Sequence, residues 1–499
     1  MSSKFFITTP IYYSNGIPHI GHAYASLLAD TIASYKKFSG KEVKFVTGVD
    51  ENSQKVVESA QAVGMGTMPY ADMMAEKHKA VWDGLGIRYT DFIRTTEKRH
   101  YDFVQKVLMR SFQNGDIYEW VYEGKYCVGC EAFKKESDLI EKDGILICPD
   151  HPNKPLEDLK EKNYFFRLSK YQDKLLALYE NHPEFINPKS RYNEVIEFVK
   201  EWLEDFSVSR ETNKFGIPLP FDPEQVTYVW YDALFNYLTV CQWEEDTWWP
   251  ADLHVIGKDI VRFHAVYWPA MLWSAGYEPP HEILVTGHFT VDGQKMSKTI
   301  GNVIDPVEYI EEHSRDMLIL YLFTAFPIGE DGDFNQKEAI NQYNAKLANN
   351  LWNLLNRFLT LSLRLDGKIG YYEDDSMKGK RDEYQSQYIW YMQTYDMKNA
   401  LDKSFEFATE LNRYIDEMKP WKLDPANPSE HTSLMKTLST VGMGLAFLGY
   451  NLAPFFEEKM IELLGRIGVG HGWEMKHGFT IREKWEPLYM RVETEKTWV

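Results

Sequence analysis

Phe5-Phe6-Ile7-Thr8-Thr9, a turn at Ser14-Asn15-Gly16, and Pro18-His19-Ile20-Gly21-His22 heading a helical pattern that lasts to Phe38 together decide the fold. The first five residues read as a short strand, and the pattern from about His19 to Phe38 as a long helix. Val43 to Thr47 is a second apolar run of strand length. Strand, helix, strand in that order is the start of a parallel α/β sheet.

Further along, Leu253 to Ile256 is a strand candidate followed by a helix through Trp268, and Ile283 to Val285 is another strand, ending at Thr286-Gly287. These distant pieces read as two halves of one doubly wound sheet, separated by residues of about 117 to 228. The separating stretch holds clustered cysteines, charged turns and short β-like pieces, which suits an insertion between the halves. From Val307 the pattern is almost wholly helical. Asn344 to Leu365, Tyr388 to Met418 and Ser433 to Leu464 carry apolar residues at helical spacing, with connectors at Tyr371 to Glu383 and Leu423 to Ser429. A helical bundle therefore follows the α/β part. No internal repeat is present.

The 499 residues suffice for roughly three domains of about 150 residues each. A hydrophobic share of 44% with 26% charged residues is that of a soluble globular chain. Thr437 to Phe456 carries no charge, but its glycines, Asn451 and Pro454 suit a buried bundle helix rather than a membrane span. Met1-Ser2-Ser3-Lys4-Phe5 has no basic cluster ahead of an apolar run, so no signal peptide is read and a cytoplasmic location is expected. The net charge of −19 disfavours non-specific binding of nucleic acid, and any such contact must be local.

Of four cysteines, three cluster. Cys127-x2-Cys130, a loop, and Cys148-x2-His151 form two short ligand pairs, the pattern of a tetrahedral structural zinc site with all four positions filled. Cys241 lies in an aromatic segment and reads as a core residue.

Pro18-His19-Ile20-Gly21-His22 opens a helix, where free N–H groups and a partial positive charge would favour an anion such as the phosphates of ATP. Gly21 would let a flat ring approach the backbone. In isolation the same residues are ordinary capping and packing residues. Asp292-Gly293-Gln294-Lys295-Met296-Ser297-Lys298-Thr299 places two lysines three apart on a mobile loop, where they would neutralise charge growing on a leaving pyrophosphate. Alone, that segment reads as a solvated turn.

Together and in this order, the two segments resemble the paired HIGH and KMSKS signatures of class I aminoacyl-tRNA synthetases, with Thr299 in place of a final serine. Thr8-Thr9-Pro10-Ile11-Tyr12-Tyr13, Thr227-Tyr228-Val229-Trp230-Tyr231-Asp232-Ala233 and Ile256-Gly257-Lys258-Asp259-Ile260 resemble the methionyl-tRNA synthetase family, and the resemblance runs from about Phe5 to Leu464. It implies a Rossmann-type parallel-sheet catalytic domain split by a zinc-binding insertion, followed by an α-helical bundle domain. The expected boundaries are 1–116 and 229–305 for the catalytic halves, 117–228 for the insertion, 306–343 for a linking stem-contact region, and 344–499 for the anticodon-binding helical domain with a short tail.

By position, the resemblance implies a methionine pocket of Ile11, Tyr13, Asp50, Trp230, Ala233, Tyr237, Ile260 and His264. The chemistry suits it: a polarisable thioether gains from aromatic edges, and the substrate ammonium needs a carboxylate. ATP would be held by His19, Gly21, His22, Gly257, Asp259, Lys295 and Lys298, with Mg²⁺ accompanying it, and the histidines, Gly21 and the lysines would be catalytic. The zinc site matches the single-knuckle members, with one structural Zn²⁺ per chain. Asn353, Arg357 and Trp421 fall on the anticodon readers of tRNA, although a tryptophan following a proline at a helix end equally suits a core. After Asp50 the family commonly reads Glu-His-Gly, whereas here it is Glu51-Asn52-Ser53. Some members append a dimerisation domain; this chain ends soon after Trp485-Glu486-Pro487-Leu488-Tyr489, so a monomer is expected.

The expected activity is methionine–tRNA ligation through methionyl-adenylate. Two alternatives share features: another class I synthetase, for isoleucine, valine, leucine or cysteine, and a tRNA-binding protein with a decayed active site. The aliphatic enzymes carry a long editing insertion, whereas about 110 residues here are largely taken up by the cysteine region. The intact histidines and lysines oppose decay.

Overall fold

Strand β1 (Lys4–Tyr13), helix α1 (Ile20–Phe38) and strand β2 (Glu42–Asp50) open the chain. The computed structural model describes residues 4–127, 132–134, 138–142, 145–149, 151–152, 154–211, 215–241, 248–296, 301–470, 478–481 and 486–493, with the backbone alone at 122, 123, 132, 133, 159–161 and 295. β1 outlasts the strand expected over Phe5 to Thr9. Pro10 offers no N–H to the ladder, and the pairing with β2 shifts register between Thr8 and Ile11. The strand continues past this bulge to Tyr13 instead of ending.

With β3 (Asp91–Arg94), β4 (Ile186–Asn187), β5 (Leu253–Gly257) and β6 (Ile283–Thr286), these strands form one sheet in the order β3-β2-β1-β5-β6-β4. Every pairing is parallel. Apolar residues cover both faces: Val255 and Leu284 join the cluster of α1, while Ile256 and Val285 pack with Trp268, Met271 and Leu272. A Cβ on Gly48 of β2 would lie 2.0 Å from the Ile93 carbonyl oxygen, so no side chain fits there. The direction of the strand order reverses between β1 and β5, so a ligand cleft is expected beyond their carboxyl ends, at Tyr13 and Gly257.

The stretch from 117 to 228 is built on a long antiparallel pair, Ile117–Cys127 against Leu156–Phe166, paired from Ile117–Phe166 to Cys127–Leu156. It also supplies β4, so its chain returns to the edge of the main sheet, which periodicity did not reveal in a two-residue strand.

In the helical region the expected single helix Tyr388 to Met418 is two, Asp375–Gln393 and Met397–Met418. Tyr395 has φ of 60°, and the Asp396 carboxylate accepts the N–H of Asn399 to restart the helix. The charged stretch expected to connect, Tyr371 to Glu383, is mostly helix, begun by Asp374, which accepts the N–H groups of Ser376 and Met377. Asn344 to Leu365 is continuous helical chain with a π-turn segment, Asn344–Trp352, at its start. The last helix, Pro428–Arg466, breaks at Phe456 (φ −129°, ψ 50°) just past Pro454, whose ring cannot sit in a regular helix. Thr437 to Phe456 is buried inside the bundle, as expected, apart from the partly exposed Tyr450. Among the described residues no helix is long and apolar enough to cross a membrane.

Arg315 links these parts. Its guanidinium donates to Leu85 O (2.8 Å), to buried Asp30 of α1 (3.0 Å) and to the Phe455 carbonyl beside the helix break (3.3 Å). Arg88 pairs with the same Asp30 through two nitrogens.

Candidate active site

The first turn of α1 does not offer free N–H groups, contrary to the expectation from sequence. Ile20 N donates to Ile304 O, Gly21 N to His19 Nδ1 (3.1 Å), and His22 N and Ala23 N to His19 O. His22 Nδ1 in turn accepts the His19 N–H at 3.2 Å. A backbone N–H only donates, so both Nδ1 atoms are acceptors and each neutral ring carries its proton on Nε2. The anion-binding capacity of this turn therefore lies in two imidazole Nε2–H donors, whose rings lie 4.0 Å apart between centroids. Burial, reinforced by His19 and His78, lowers the His22 pKa to about 3, which keeps the ring neutral. His78 reaches back to Gly16 O (2.9 Å) and steadies the preceding turn, and no local motif announced it.

The lysine segment is a hairpin. Phe289–Val291 pairs with Gln294–Lys295 across Asp292-Gly293, both at positive φ, as an Asp-Gly turn requires. Lys295 thus sits on a strand rather than on a mobile loop. Its side chain and the whole of Lys298 lie outside what is described. Met296 meets the histidine turn: a methyl group built on Gly21 would come 3.5 Å from Met296 Cε. The two segments, far apart in sequence, therefore lie side by side. At the end of β5, a Cβ on Gly257 would come 2.8 Å from Asp259 Oδ1. His288 Nε2 lies 3.4 Å from Asp259, while Lys258 and the His288 N–H both bind Asp331, tying β5 to the base of the hairpin.

Tyr13 and Asp50 are ladder partners at the ends of β1 and β2. Tyr13 meets Trp230 edge to face at 6.4 Å, and Trp230 stacks on Phe263 at 3.9 Å. Tyr237, Ala233 and His264 are buried. His264 Nδ1 faces the Ile260 carbonyl at 3.0 Å, which can only accept, so Nδ1 carries the proton and Nε2 accepts from the Tyr237 hydroxyl at 2.8 Å. Burial lowers the His264 pKa to about 4. The pocket wall is thus uncharged and aromatic, suited to a thioether. Ile11 packs against the cluster of Phe6, Val46 and Cys241. Cys241 is the core residue expected.

Two residues that the sequence did not flag, His254 and Asp232, back the wall. The His254 ring lies tilted against Tyr237, 4.4 Å between centroids, and binds Thr8 Oγ1 at 2.6 Å. Asp232, fully buried between Trp230 and Ala233, accepts from Asn52 Nδ2 (2.9 Å) and Thr227 Oγ1 (3.3 Å). Burial holds the Asp232 carboxyl well above the usual carboxylate range. The departure at Asn52 was visible in sequence, but its partner was not.

In the insertion, ligand atoms of Cys127, Cys148 and His151 lie within 4.8 Å of one another, and both cysteines are buried. The Cys127 Sγ to His151 Nδ1 distance is 3.9 Å. Zinc bonds of about 2.3 Å to sulfur and about 2.0 Å to nitrogen put tetrahedral neighbours roughly 3.5 Å apart, so the group can hold a metal ion with little adjustment. Cys130 lies outside the described residues. In the bundle, Asn353 Nδ2 and Arg357 Nη1 both reach Asn412 Oδ1, at 3.4 and 3.3 Å. Trp421 is 45% exposed on the short turn Pro420–Lys422 and does not close the core.

A family model described as class I tRNA synthetases (M) matches residues 5–151 and 146–359. The chain is similar to the methionine–tRNA ligase of Thermotoga maritima, 42% identical over 99% of this chain and 81% of the relative. It is also similar to that of Bacillus subtilis, 39% identical over 99% of this chain and 79% of the relative. Its fold matches a solved structure of Mycobacterium tuberculosis methionyl-tRNA synthetase in complex with methionyl-adenylate, with a TM-score of 0.93, 33% identity, and coverage of 98% of this chain and 100% of that one. Likeness of this extent, in sequence and in fold alike, places the chain in the methionyl-tRNA synthetase family of class I aminoacyl-tRNA synthetases, ATP-dependent ligases of protein biosynthesis.

Proposed function

We propose that the cleft between β1 and β5 activates methionine with ATP and passes it to tRNA, with the site residues acting as follows. The observation that carries this reading is the closeness of Met296 to Gly21, where an added Cβ would lie 3.5 Å from Met296 Cε, which sets the two phosphate-directed segments side by side. Methionine sits with its ammonium at Asp50 and its side chain among Tyr13, Trp230, Ala233, Tyr237, Ile260 and His264, with Ile11 beneath. ATP lies across Gly21, with Gly257 and Asp259 toward the ribose.

The methionine carboxylate attacks the α-phosphorus of ATP, the bond to the β,γ-pyrophosphate breaks, and methionyl-adenylate remains. Negative charge grows on the phosphoryl oxygens and on the leaving group. The Nε2–H donors of His19 and His22, with Lys295 and Lys298, stabilise that charge more than they stabilise the ground state. Mg²⁺ accompanying ATP adds charge neutralisation when bound. The terminal hydroxyl of tRNA then attacks the acyl carbon and AMP leaves. The substrate carboxylate is itself the nucleophile, so the protein supplies none.

Asn353, Arg357 and Trp421 hold the anticodon in this reading. Cys127, Cys130, Cys148 and His151 hold one zinc ion that staples the insertion. The chain works as a cytoplasmic monomer, for which the mass in solution is the check. Methionine-dependent ATP–pyrophosphate exchange tests the whole reading: methionine should be favoured over leucine by about 1–3 kcal/mol, the usual range for near-isosteres in an apolar pocket. Exchange driven equally well by leucine would defeat it.

A further inference from the structure

The turn after β2 starts at Asp50 and reaches Asn52 two residues later, and all four residues from Asp50 to Ser53 are buried. Helix Val229–Leu234, which carries Trp230 and Ala233, comes from the other half of the chain, 180 residues away. The Asn52 amide bridges the two. Its Nδ2 group has two hydrogens and two acceptors, Asp232 Oδ2 at 2.9 Å and Thr95 O at 3.1 Å. Thr95 Oγ1 accepts the N–H of Glu51 at 2.9 Å, and the Glu51 carboxylate takes Arg94 Nε at 3.0 Å. The turn is therefore fixed to β3 on one side and to the pocket helix on the other.

Asp232 sits between two pocket residues in sequence and Asn52 sits two positions from the third. A change in the Asn52–Asp232 distance must move Asp50 relative to Trp230 and Ala233. An amide has no proton to gain or lose near neutral pH, so this donor persists across the working range.

We propose that Asn52 and Asp232 are positioning residues that act as a latch: their hydrogen bond sets the spacing between the Asp50 carboxylate and the Trp230–Ala233 wall, and through it the affinity for methionine. The latch rests on the reading of Asp50, Trp230 and Ala233 as methionine contacts. Neither positioning residue needs to touch the substrate, and ATP binds on other elements, so their loss falls on one substrate only.

The test is ATP–pyrophosphate exchange with KM measured separately for methionine and ATP in Asn52→Ala, Asp232→Ala, Asp232→Asn and the double alanine variant. Asn52→Ala and Asp232→Ala should each raise KM for methionine roughly tenfold and leave KM for ATP within about twofold, as expected for losing one partner of a buried hydrogen bond. Asp232→Asn keeps an accepting carbonyl and should stay within about threefold of the parent, and the double variant should lose little more than either single one. If Asp232→Ala does not fold, Asn52→Ala and Asp232→Asn carry the same comparison. An unchanged KM for methionine in Asn52→Ala overturns the latch. So does an equal rise for both substrates, and so does an Asp232→Asn variant as impaired as the alanine one. Asp50→Asn separates the two levels: if it leaves KM for methionine unaltered, the pocket reading itself fails, whatever the latch variants do.

Discussion

The Arg357 guanidinium carbon lies 5.6 Å from the centre of the Trp421 ring, so a planar cation and a half-exposed indole stand side by side on the bundle surface. The Asp416 carboxylate pairs with the same arginine and fixes the direction of its guanidinium. An unpaired base can stack on the indole while the guanidinium meets its edge or its phosphate.

Trp421→Ala should therefore weaken aminoacylation of tRNA by about 1–3 kcal/mol, the usual worth of stacking one base. ATP–pyrophosphate exchange, which needs no tRNA, should stay near normal. A parallel fall in both reactions would assign Trp421 to folding, against its exposure.

Lys298→Ala should slow adenylate formation by about 10²–10³-fold with little change in methionine affinity, the range for removing one strong transition-state donor. Pre-steady-state exchange measures both quantities. Unaltered exchange would take Lys298 out of the first step and leave the charge to the imidazole donors.

Cys148→Ser should lower both metal content and thermal stability, because a structural zinc ion contributes its binding energy to folding. Elemental analysis of protein purified without chelator should give one zinc per chain. A metal-free parent with an unaltered melting temperature would refute the site.

Acid should destabilise the fold well before it denatures carboxylate pairs. Burial lowers the pKa of His22 and His100 to about 3 and that of His78 and His264 to about 4. The unfolded chain takes up these protons below the ordinary value of about 6.5 while the folded chain does not. Their contribution is complete above that value and is lost as pH falls toward 4. Asp232 runs the other way, as do Glu51, Glu282, Asp316 and Glu373 with smaller shifts: their raised carboxyls contribute stability that fades as pH rises. With buried His254, lowered likewise, the histidines outweigh them between pH 6.5 and 5. The melting temperature should thus be lower at pH 5.5 than at pH 7.5, and calorimetry showing the reverse order would contradict the burial argument.

Local pattern made the opening strand, helix and strand legible, because each element is several turns or residues long and its apolar period is strong. The cysteine pairs were legible because metal ligands must be spaced within a turn. The edge strand Ile186–Asn187 was not, since two residues carry no period. Nor was the helix begun at Asp375, whose charged first turns face away from the core and whose start is set by one carboxylate cap. The site shows the same division. His19, His22 and Asp50 stand in motifs, while Asp232, His254 and His78 owe their places to partners across the chain, a relation that linear spacing cannot express. The occupied N–H groups at the head of α1 also depended on side chains folding back and on Ile304, the first feature local and unrecognised, the second distant.

The grip of Arg315 on both Asp30 and the Phe455 carbonyl has a mechanical consequence. Asp30 lies about three turns along the helix that starts at the histidine turn. The break in the last bundle helix frees the carbonyl that Arg315 holds. The bundle and the helix of the histidine turn are thereby pinned together at one cation, so a displacement of the bundle at Phe455 is passed to Asp30 instead of being lost in a loose joint.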